Sequence, residues 1–426
     1  MEPRDYQLRA VEDCRREYAR GARSVLLVVP TGGGKTVIGA LVVAGALAKG
    51  KRVLWLAGRR ELVDQAAARL PGRVGILMAG RPTDPGAPVQ VGSIDTILNR
   101  DVPKVDLVVY DEAHHAVANT SRQVLARQGK AHLLGLTATP VRGDGAALGD
   151  IFDALVIGPT VRELVAQQHL VPVSVVAPKA RYSTLSEDPV VAWRSRSEGR
   201  PGFAFHKTIA ESRAFAERLN AEGVATAHVD GETPLAIREA AIRAFREGEL
   251  ECLSSVFVFT EGVDVPRASF CLLARGCDNP GTYLQMVGRV LRPHRGKHDA
   301  LVVDLRGVVH DHGLPDDDRK WSLDGVQGQV TEAAKRMRLR QCIPCAYVWR
   351  PVETNEQCPR CGHQEEARPQ HVVARSMGAV RAHMPRWPNA DKAQRDEYLR
   401  RLYVEARTKN YRRGWIEARM RWAFGG

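Results

Sequence analysis

From residue 23 to about residue 304 the chain alternates short β-branched runs with stretches of helical periodicity. Short apolar runs bounded by turn signals read as strands, and strands alternating with helices predict an α/β fold with mainly parallel sheets. A first series is expected at Ser24–Val29, Arg52–Ala57, Val105–Tyr110 and His132–Leu136. A second is expected at Gly202–Phe205, Thr226–Val229, Leu253–Phe259, Ser269–Ala274 and Ala300–Asp304. The stretch between them, Gly158 to Arg200, is less regular and carries several prolines. Two α/β lobes of similar size follow, spanning 1–168 and 169–310.

After Asp304 the pattern breaks. Gly313, Pro315 and the acids Asp316, Asp317 and Asp318 form a polar loop, and a basic helix is predicted from about Val330 to Gln341. Residues 311–341 therefore read as a connector, 342–363 as a small cysteine-bearing module, and 380–426 as a tail. In the tail, Tyr398, Leu399, Leu402, Tyr403 and Ala406 recur at helical spacing, and Ile416, Met420 and Phe424 continue it beyond Gly414. A helical hairpin is expected there.

Composition adds bounds rather than identity. The chain has 426 residues, 44% hydrophobic and 26% charged, which is ordinary for soluble globular domains. Its longest apolar run, Val37 to Ala48, falls short of the roughly 18 residues that suggest a membrane span. The N-terminus has no apolar stretch behind a basic start, so a cytoplasmic chain without membrane attachment is expected. The formal net charge is +13, and the twelve Lys/Arg against five Asp/Glu in 380–426 supply +7 of it. A polyanionic partner is favoured, with the tail as its electrostatic contact.

Three patterns carry chemistry. Strand Ser24–Val29 runs into Pro30-Thr31-Gly32-Gly33-Gly34-Lys35-Thr36 and then an apolar helix. Glycines let backbone N–H groups approach phosphates, and the helix N-terminus favours their charge. Lys35 would reach the β- and γ-phosphates and Thr36 would ligand Mg²⁺. Val29 stands where the general P-loop pattern has glycine. Strand Val105–Tyr110 delivers Asp111 and Glu112 to its C-terminal edge, Asp111 for Mg²⁺ and Glu112 as base for the attacking water. Further on, Gln285, Arg289 and Arg292 would share one face of a helix and meet the γ-phosphoryl charge as arginine fingers do.

These residues, with Thr137-Ala138-Thr139-Pro140, resemble the superfamily 2 helicases and translocases of DEAD/DEAH-box type, built from two tandem RecA-like lobes. The resemblance covers roughly residues 4–305 with its motifs in order. It implies that Arg4 and Gln7 read the adenine, that Thr31, Gly32, Gly33 and Gly34 cradle phosphates, and that Gly262 and Asp264 complete the ATP site. It further implies that His114, Thr137 and Thr139 couple that site to nucleic acid, and that Arg60, Gly92, Ser93, Thr96, His206 and Thr260 touch the nucleic-acid backbone. Within the superfamily the chain is similar to RadD-like and phage or prophage DNA helicases that carry a C-terminal cysteine cluster.

Cys342, Cys345, Cys358 and Cys361 form two C-x-x-C pairs twelve residues apart, the spacing of a Cys₄ zinc ribbon. Four thiolates would fill a tetrahedral Zn²⁺ site, leaving it structural; a redox dithiol and unliganded cysteines are the alternatives. Trp415, Trp422, Tyr403 and Tyr411 among tail cations suit either base stacking or a hydrophobic seam. The expected protein is thus an ATP-dependent DNA helicase or translocase using ATP, Mg²⁺ and Zn²⁺, with DNA favoured over RNA. A repair or replication protein is a candidate partner for the ribbon or tail. An RNA helicase and an ATP-switched scaffold without unwinding remain alternatives.

Overall fold

The computed structural model describes residues 2–58, 60–100, 102–116, 118–141, 147–260, 264–324, 329–336, 338–351, 357–364, 391–408 and 413–424. The chain forms two compact units, 1–364 and 365–426. The first holds two RecA-like lobes.

Lobe 1 is a seven-stranded sheet of β1 (Ser24–Val28), β2 (Val53–Ala57), β3 (Val74–Leu77), β4 (Val89–Ser93), β5 (Leu107–Asp111), β6 (His132–Thr137) and β7 (Ala154–Ile157). The order is β3-β4-β2-β5-β6-β1-β7, with every neighbouring pair parallel. Both faces are covered, so the strands are apolar throughout and alternate residues enter different cores. Val25, Leu27, Val53 and Trp55 pack on one side with the helices Asp5–Ala19 and Lys35–Leu47, while Leu26, Leu54 and Leu56 pack on the other.

Lobe 2 comprises β8 (Val173–Val176), β9 (Gly202–His206), β10 (Thr226–Val229), β11 (Cys252–Ser255), β12 (Phe270–Ala274) and β13 (Ala300–Asp304), again parallel. The run expected as one strand from Leu253 to Phe259 is shorter; it gives way to a 3₁₀ turn, Val258–Thr260. Phe203, Phe205 and Leu273 fill one core, Phe270 and Leu272 the other.

The region after β13 is more integrated than its sequence suggests. Two short strands, β14 (Arg319–Lys320) and β15 (Gln329–Val330), pair antiparallel. The helix expected from Val330 to Gln341 is only Glu332–Arg336, and Gln341 already belongs to a strand. That strand, β16 (Arg340–Gln341), pairs antiparallel with β17 (Tyr347–Trp349), and β17 pairs antiparallel with β8. The cysteine module therefore extends the lobe 2 sheet instead of hanging from it. The connector also returns to lobe 1, where the Leu323 carbonyl accepts from the N–H groups of Leu148 (3.1 Å) and Gly149 (3.0 Å).

In the second unit, helices Lys392–Thr408 and Arg413–Phe424 pack through Leu402, Ala406 and Ile416, with Tyr398, Leu399 and Met420 alongside. Tyr403 is exposed and takes no part in that seam. Tyr411 and the side chains of Trp415 and Trp422 lie outside the described residues. No helix among the described residues is long and apolar enough to cross a membrane.

Candidate nucleotide site and cysteine centre

The loop after β1 takes its shape from glycines. Gly32 and Gly34 have φ of +85° and +81°, a conformation L side chains rarely adopt. A Cβ on Gly34 would lie 2.5 Å from Gln7 Nε2, so a side chain there would displace Gln7 from the loop. A Cβ on Gly33 would lie 2.6 Å from Val29 Cγ1, so the residue that departs from the P-loop pattern packs directly beneath the loop. The helix starting at Lys35 then points its unsatisfied N–H groups and positive dipole end into the cleft.

Across from the loop, β5 brings Asp111 and Glu112, both buried. Lys35 Nζ donates to Glu112 Oε1 at 2.9 Å, and the two side chains are only 12% and 10% exposed. Glu112 has φ +55°, a strained backbone of the kind functional sites retain. A polar chain leads away from it. His114 Nδ1 lies 3.6 Å from Glu112 Oε2 and 3.2 Å from Thr137 Oγ1. The Thr137 hydroxyl donates to the Thr139 carbonyl at 2.9 Å. Thr139 in turn abuts lobe 2, its Oγ1 lying 3.0 Å from where a Cβ on Gly281 would sit.

The N-terminal helix ties the loop to both lobes. The Arg4 N–H donates to Gln7 Oε1 at 3.0 Å, and Tyr6 Oη donates to the Gly33 carbonyl at 2.9 Å. Tyr6 also packs into the lobe 2 core, with its ring 5.4 Å from that of His169. A cleft of about 800 Å³ is lined by Arg4, Gln7, Thr31, Gly32, Gly34, Lys35, Thr36, Asp111, Glu112, Asp264, Arg289 and Arg292. Residues nearly 290 positions apart thus converge on one cavity.

The single helical face expected for Gln285, Arg289 and Arg292 needs correction. The helix Pro280–Gly288 ends before either arginine, and Arg289 caps it. Pro293 disfavours helical backbone at Arg292. A Cβ on Gly288 would stand 2.5 Å from Thr31 Cβ, so the helix end sits hard against the glycine loop. Both arginines line the cleft, whereas Gln285 is buried and does not. Arg292 pairs with Asp264 Oδ1, and Arg69 Nη2 of lobe 1 reaches Asp264 Oδ2 at 3.3 Å. Burial acts to raise the Asp264 pKa, but the two guanidiniums outweigh it and hold the carboxyl below its ordinary range.

The residues expected to touch nucleic acid are less uniform. Gly92 and Ser93 end β4, and Ser93 Oγ lies 2.9 Å from Thr96 Oγ1. Arg60 opens the helix Arg60–Ala67, but its side chain, the Thr260 side chain and Gly262 lie outside the described residues. His206 ends β9 yet is buried against Phe215, with Nε2 unpartnered. Burial, aided by His228, pushes its pKa down to about 4. Its ring faces the lobe interior, not a backbone phosphate.

One residue escaped sequence reasoning altogether. Lys297 Nζ donates to the carbonyls of Pro266 (3.1 Å), Ala268 (2.5 Å) and Arg292 (2.7 Å). It clamps the Asp264 loop to the Arg292 turn. A lone lysine in a basic run gives no sequence signal of such a role.

The four cysteines form two matching knuckles. Cys342 N–H donates to the Tyr347 carbonyl and Cys358 N–H to the His363 carbonyl, both at 2.8 Å. The residue after each second cysteine, Ala346 (φ +56°) and Gly362 (φ +72°), turns left-handed. The four Sγ atoms lie within 4.8 Å of one another, and the closest pairs are 3.5 and 3.7 Å apart. Thiolates about 2.3 Å from a tetrahedral ion stand roughly 3.8 Å apart, so the set is compatible with zinc.

Residues 1–142 match the family described as type III restriction enzyme, res subunit, and residues 186–294 match the helicase conserved C-terminal domain. A 51.5 kDa protein of a Lactococcus phage is 28% identical over 369 residues, covering 81% of this chain and 79% of the phage protein. Rad25 of Halobacterium salinarum, provisionally named a DNA 3′–5′ helicase, is 30% identical over 352 residues. That match covers 73% of this chain but 56% of the Halobacterium protein, so the chain spans little over half of that relative. A fragment provisionally assigned to the HsdR subunit of a type I restriction enzyme from Vibrio vulnificus shares the fold, with a TM-score of 0.59 at 21% identity. It covers 76% of this chain and 70% of the fragment.

Proposed function

We propose, from the premise that this chain belongs to the superfamily 2 helicases with their ATP-hydrolysing domains, that it is a DNA-directed motor driven by cycles of lobe closure. The observation that carries the reading is the interlobe cleft. It sets the Lys35–Glu112 pair of lobe 1 on the same cavity as Arg289 and Arg292 of lobe 2.

Lys35 leaves Glu112 for the β- and γ-phosphates when the nucleotide enters, and this exchange frees the carboxylate to take a proton from the attacking water. The adenine rests against Arg4 and Gln7. Arg289 and Arg292 stabilise the charge that develops on the transferring phosphoryl group, so turnover requires both lobes. Thr36 and Asp111 would hold Mg²⁺, which neutralises phosphate charge. The polar chain Glu112–His114–Thr137–Thr139 carries the state of the base toward lobe 2.

DNA as the track is supported by the name of the Halobacterium relative and by the charge of the tail. A role in repair, recombination or phage replication agrees with the phage relative. The cysteine knuckles bind one structural Zn²⁺ per chain, checked by metal analysis of the purified protein. The decisive experiment compares ATP hydrolysis with single-stranded DNA, duplex DNA and RNA, beside strand-displacement and translocation assays. Stimulation by DNA with movement is expected. Preference for RNA would make it an RNA helicase, and stimulation without movement an ATP-switched scaffold.

A further inference from the structure

Phe257 is the exception among the lobe 2 phenylalanines. Phe203, Phe205, Phe215, Phe245, Phe259 and Phe270 are all buried, whereas Phe257 is 48% exposed. Its backbone has φ +59°, a conformation that is a genuine outlier for a bulky residue. Glycine would make the same turn without strain, so the fold alone does not explain an aromatic ring there.

A cation stands over the ring. Arg275 Cζ stands 3.7 Å from its centroid, a close cation–π stack. Arg275 is itself constrained: its Nε donates to the Gly276 carbonyl at 3.2 Å, and its buried Nη1 has no hydrogen-bond partner. A guanidinium fixed behind a ring half open to solvent gives a rigid aromatic face at the surface.

The location narrows that group. Phe257 follows β11 and immediately precedes the turn Val258–Thr260, while Arg275 follows β12, so both occupy the C-terminal edge of the sheet, where open α/β sheets bind ligands. Arg306 and Arg181 stand beside Gly276, 3.6 and 3.1 Å from where its Cβ would be. Arg181 is paired with Asp278 and Asp311, while Arg275, Arg306 and the exposed Lys207 after β9 add positive charge to this edge. Tyr182, whose carbonyl accepts from Arg306 Nε at 2.9 Å, adds a second half-exposed aromatic. Flat aromatic faces among cations suit a planar base on an anionic backbone, and only a single strand leaves its bases open to stack.

We propose that Phe257, backed by Arg275, is a stacking platform for one base of a single nucleic-acid strand. The proposal rests on the nucleic-acid reading above. Its test uses the full chain, single-stranded oligothymidylate, and the variants Phe257→Gly and Phe257→Trp, with affinity measured across a salt series. Phe257→Gly should melt no lower than the wild type, because glycine accepts the positive φ. It should bind the oligonucleotide roughly ten-fold more weakly. The slope of log K against log[salt] should not change, because no phosphate contact is lost. Phe257→Trp should retain wild-type affinity. Wild-type affinity in Phe257→Gly would overturn the proposal. So would a loss accompanied by a flatter salt slope, which would make the ring a prop for a phosphate-binding arginine, or a melting point well below that of the wild type. Failure of the wild type itself to bind the strand would instead remove the nucleic-acid premise.

Discussion

Two buried ion pairs in the first unit look alike and are built for opposite ends. Lys35 and Glu112 meet through one hydrogen bond of 2.9 Å at the rim of the cleft. Arg350 and Asp317 meet through contacts of 2.7, 2.8 and 3.0 Å, and Asp317 also accepts from the Leu314 N–H (2.8 Å) and Arg162 Nη2 (3.4 Å). The first pair joins a point charge to a carboxylate that phosphate can replace. The second is a planar fork on a saturated carboxylate, joining the connector to the strand that follows the cysteine knuckle. The proposed motor would need both kinds: a contact exchanged every cycle and one that never is.

The comparison predicts where changes act. On the exchangeable side, Arg289→Ala or Arg292→Ala should cut nucleic-acid-stimulated hydrolysis by about 10³–10⁵-fold with folding intact, read by steady-state rates beside melting curves. Normal turnover in both would break the two-lobe mechanism. Glu112→Gln should lower turnover by roughly 10²–10⁴-fold while nucleotide binding persists, checked by equilibrium binding and single-turnover hydrolysis. A wild-type rate would show that Glu112 is not the base.

On the fixed side the readout is stability. Arg350→Ala leaves the fully buried Asp317 carboxylate with only Arg162 and the Leu314 N–H among the partners named above, and should cost about 3–5 kcal/mol in denaturant unfolding. A negligible loss would mean the pair is not what holds the connector. His206 offers the smallest effect, as a buried imidazole whose Nε2 has no hydrogen-bond partner. Folded His206 takes up a proton only near pH 4, whereas its ordinary pKa is 6.5. Stability is therefore complete above pH 6.5 and falls as pH drops through that window, by at most about 3 kcal/mol. In His206→Leu that part of the pH dependence should vanish from thermal melts.

Much of the candidate nucleotide cleft was legible because glycines, carboxylates and arginines sit at fixed offsets from strands whose apolar runs are unmistakable. The helical face of Gln285, Arg289 and Arg292 was not, because Gly288 and Pro293 end the helix between them. Strands β3, β4, β7 and β8 went unmarked for a different reason. They are short, and β4 carries Gln90, whose Nε2 is satisfied locally by the carbonyls of Asp84 (2.8 Å) and Ala87 (3.0 Å). Lys297 makes its contacts through tertiary folding alone. Cysteine spacing, likewise, speaks of a metal and not of the sheet that the cysteine hairpin joins.

That junction has a consequence for solubility. With β17 in place, the outer side of β8 is paired at Val175 and Val176. Pulled away, the hairpin would leave a β-branched, apolar strand with an open hydrogen-bonding edge, a template onto which another polypeptide can add. Stripping the ion from the four thiolates should therefore show itself first as self-association, detectable by light scattering at concentrations where the metal-loaded protein stays dispersed. The cysteine hairpin is in this sense a guard on the sheet's exposed border.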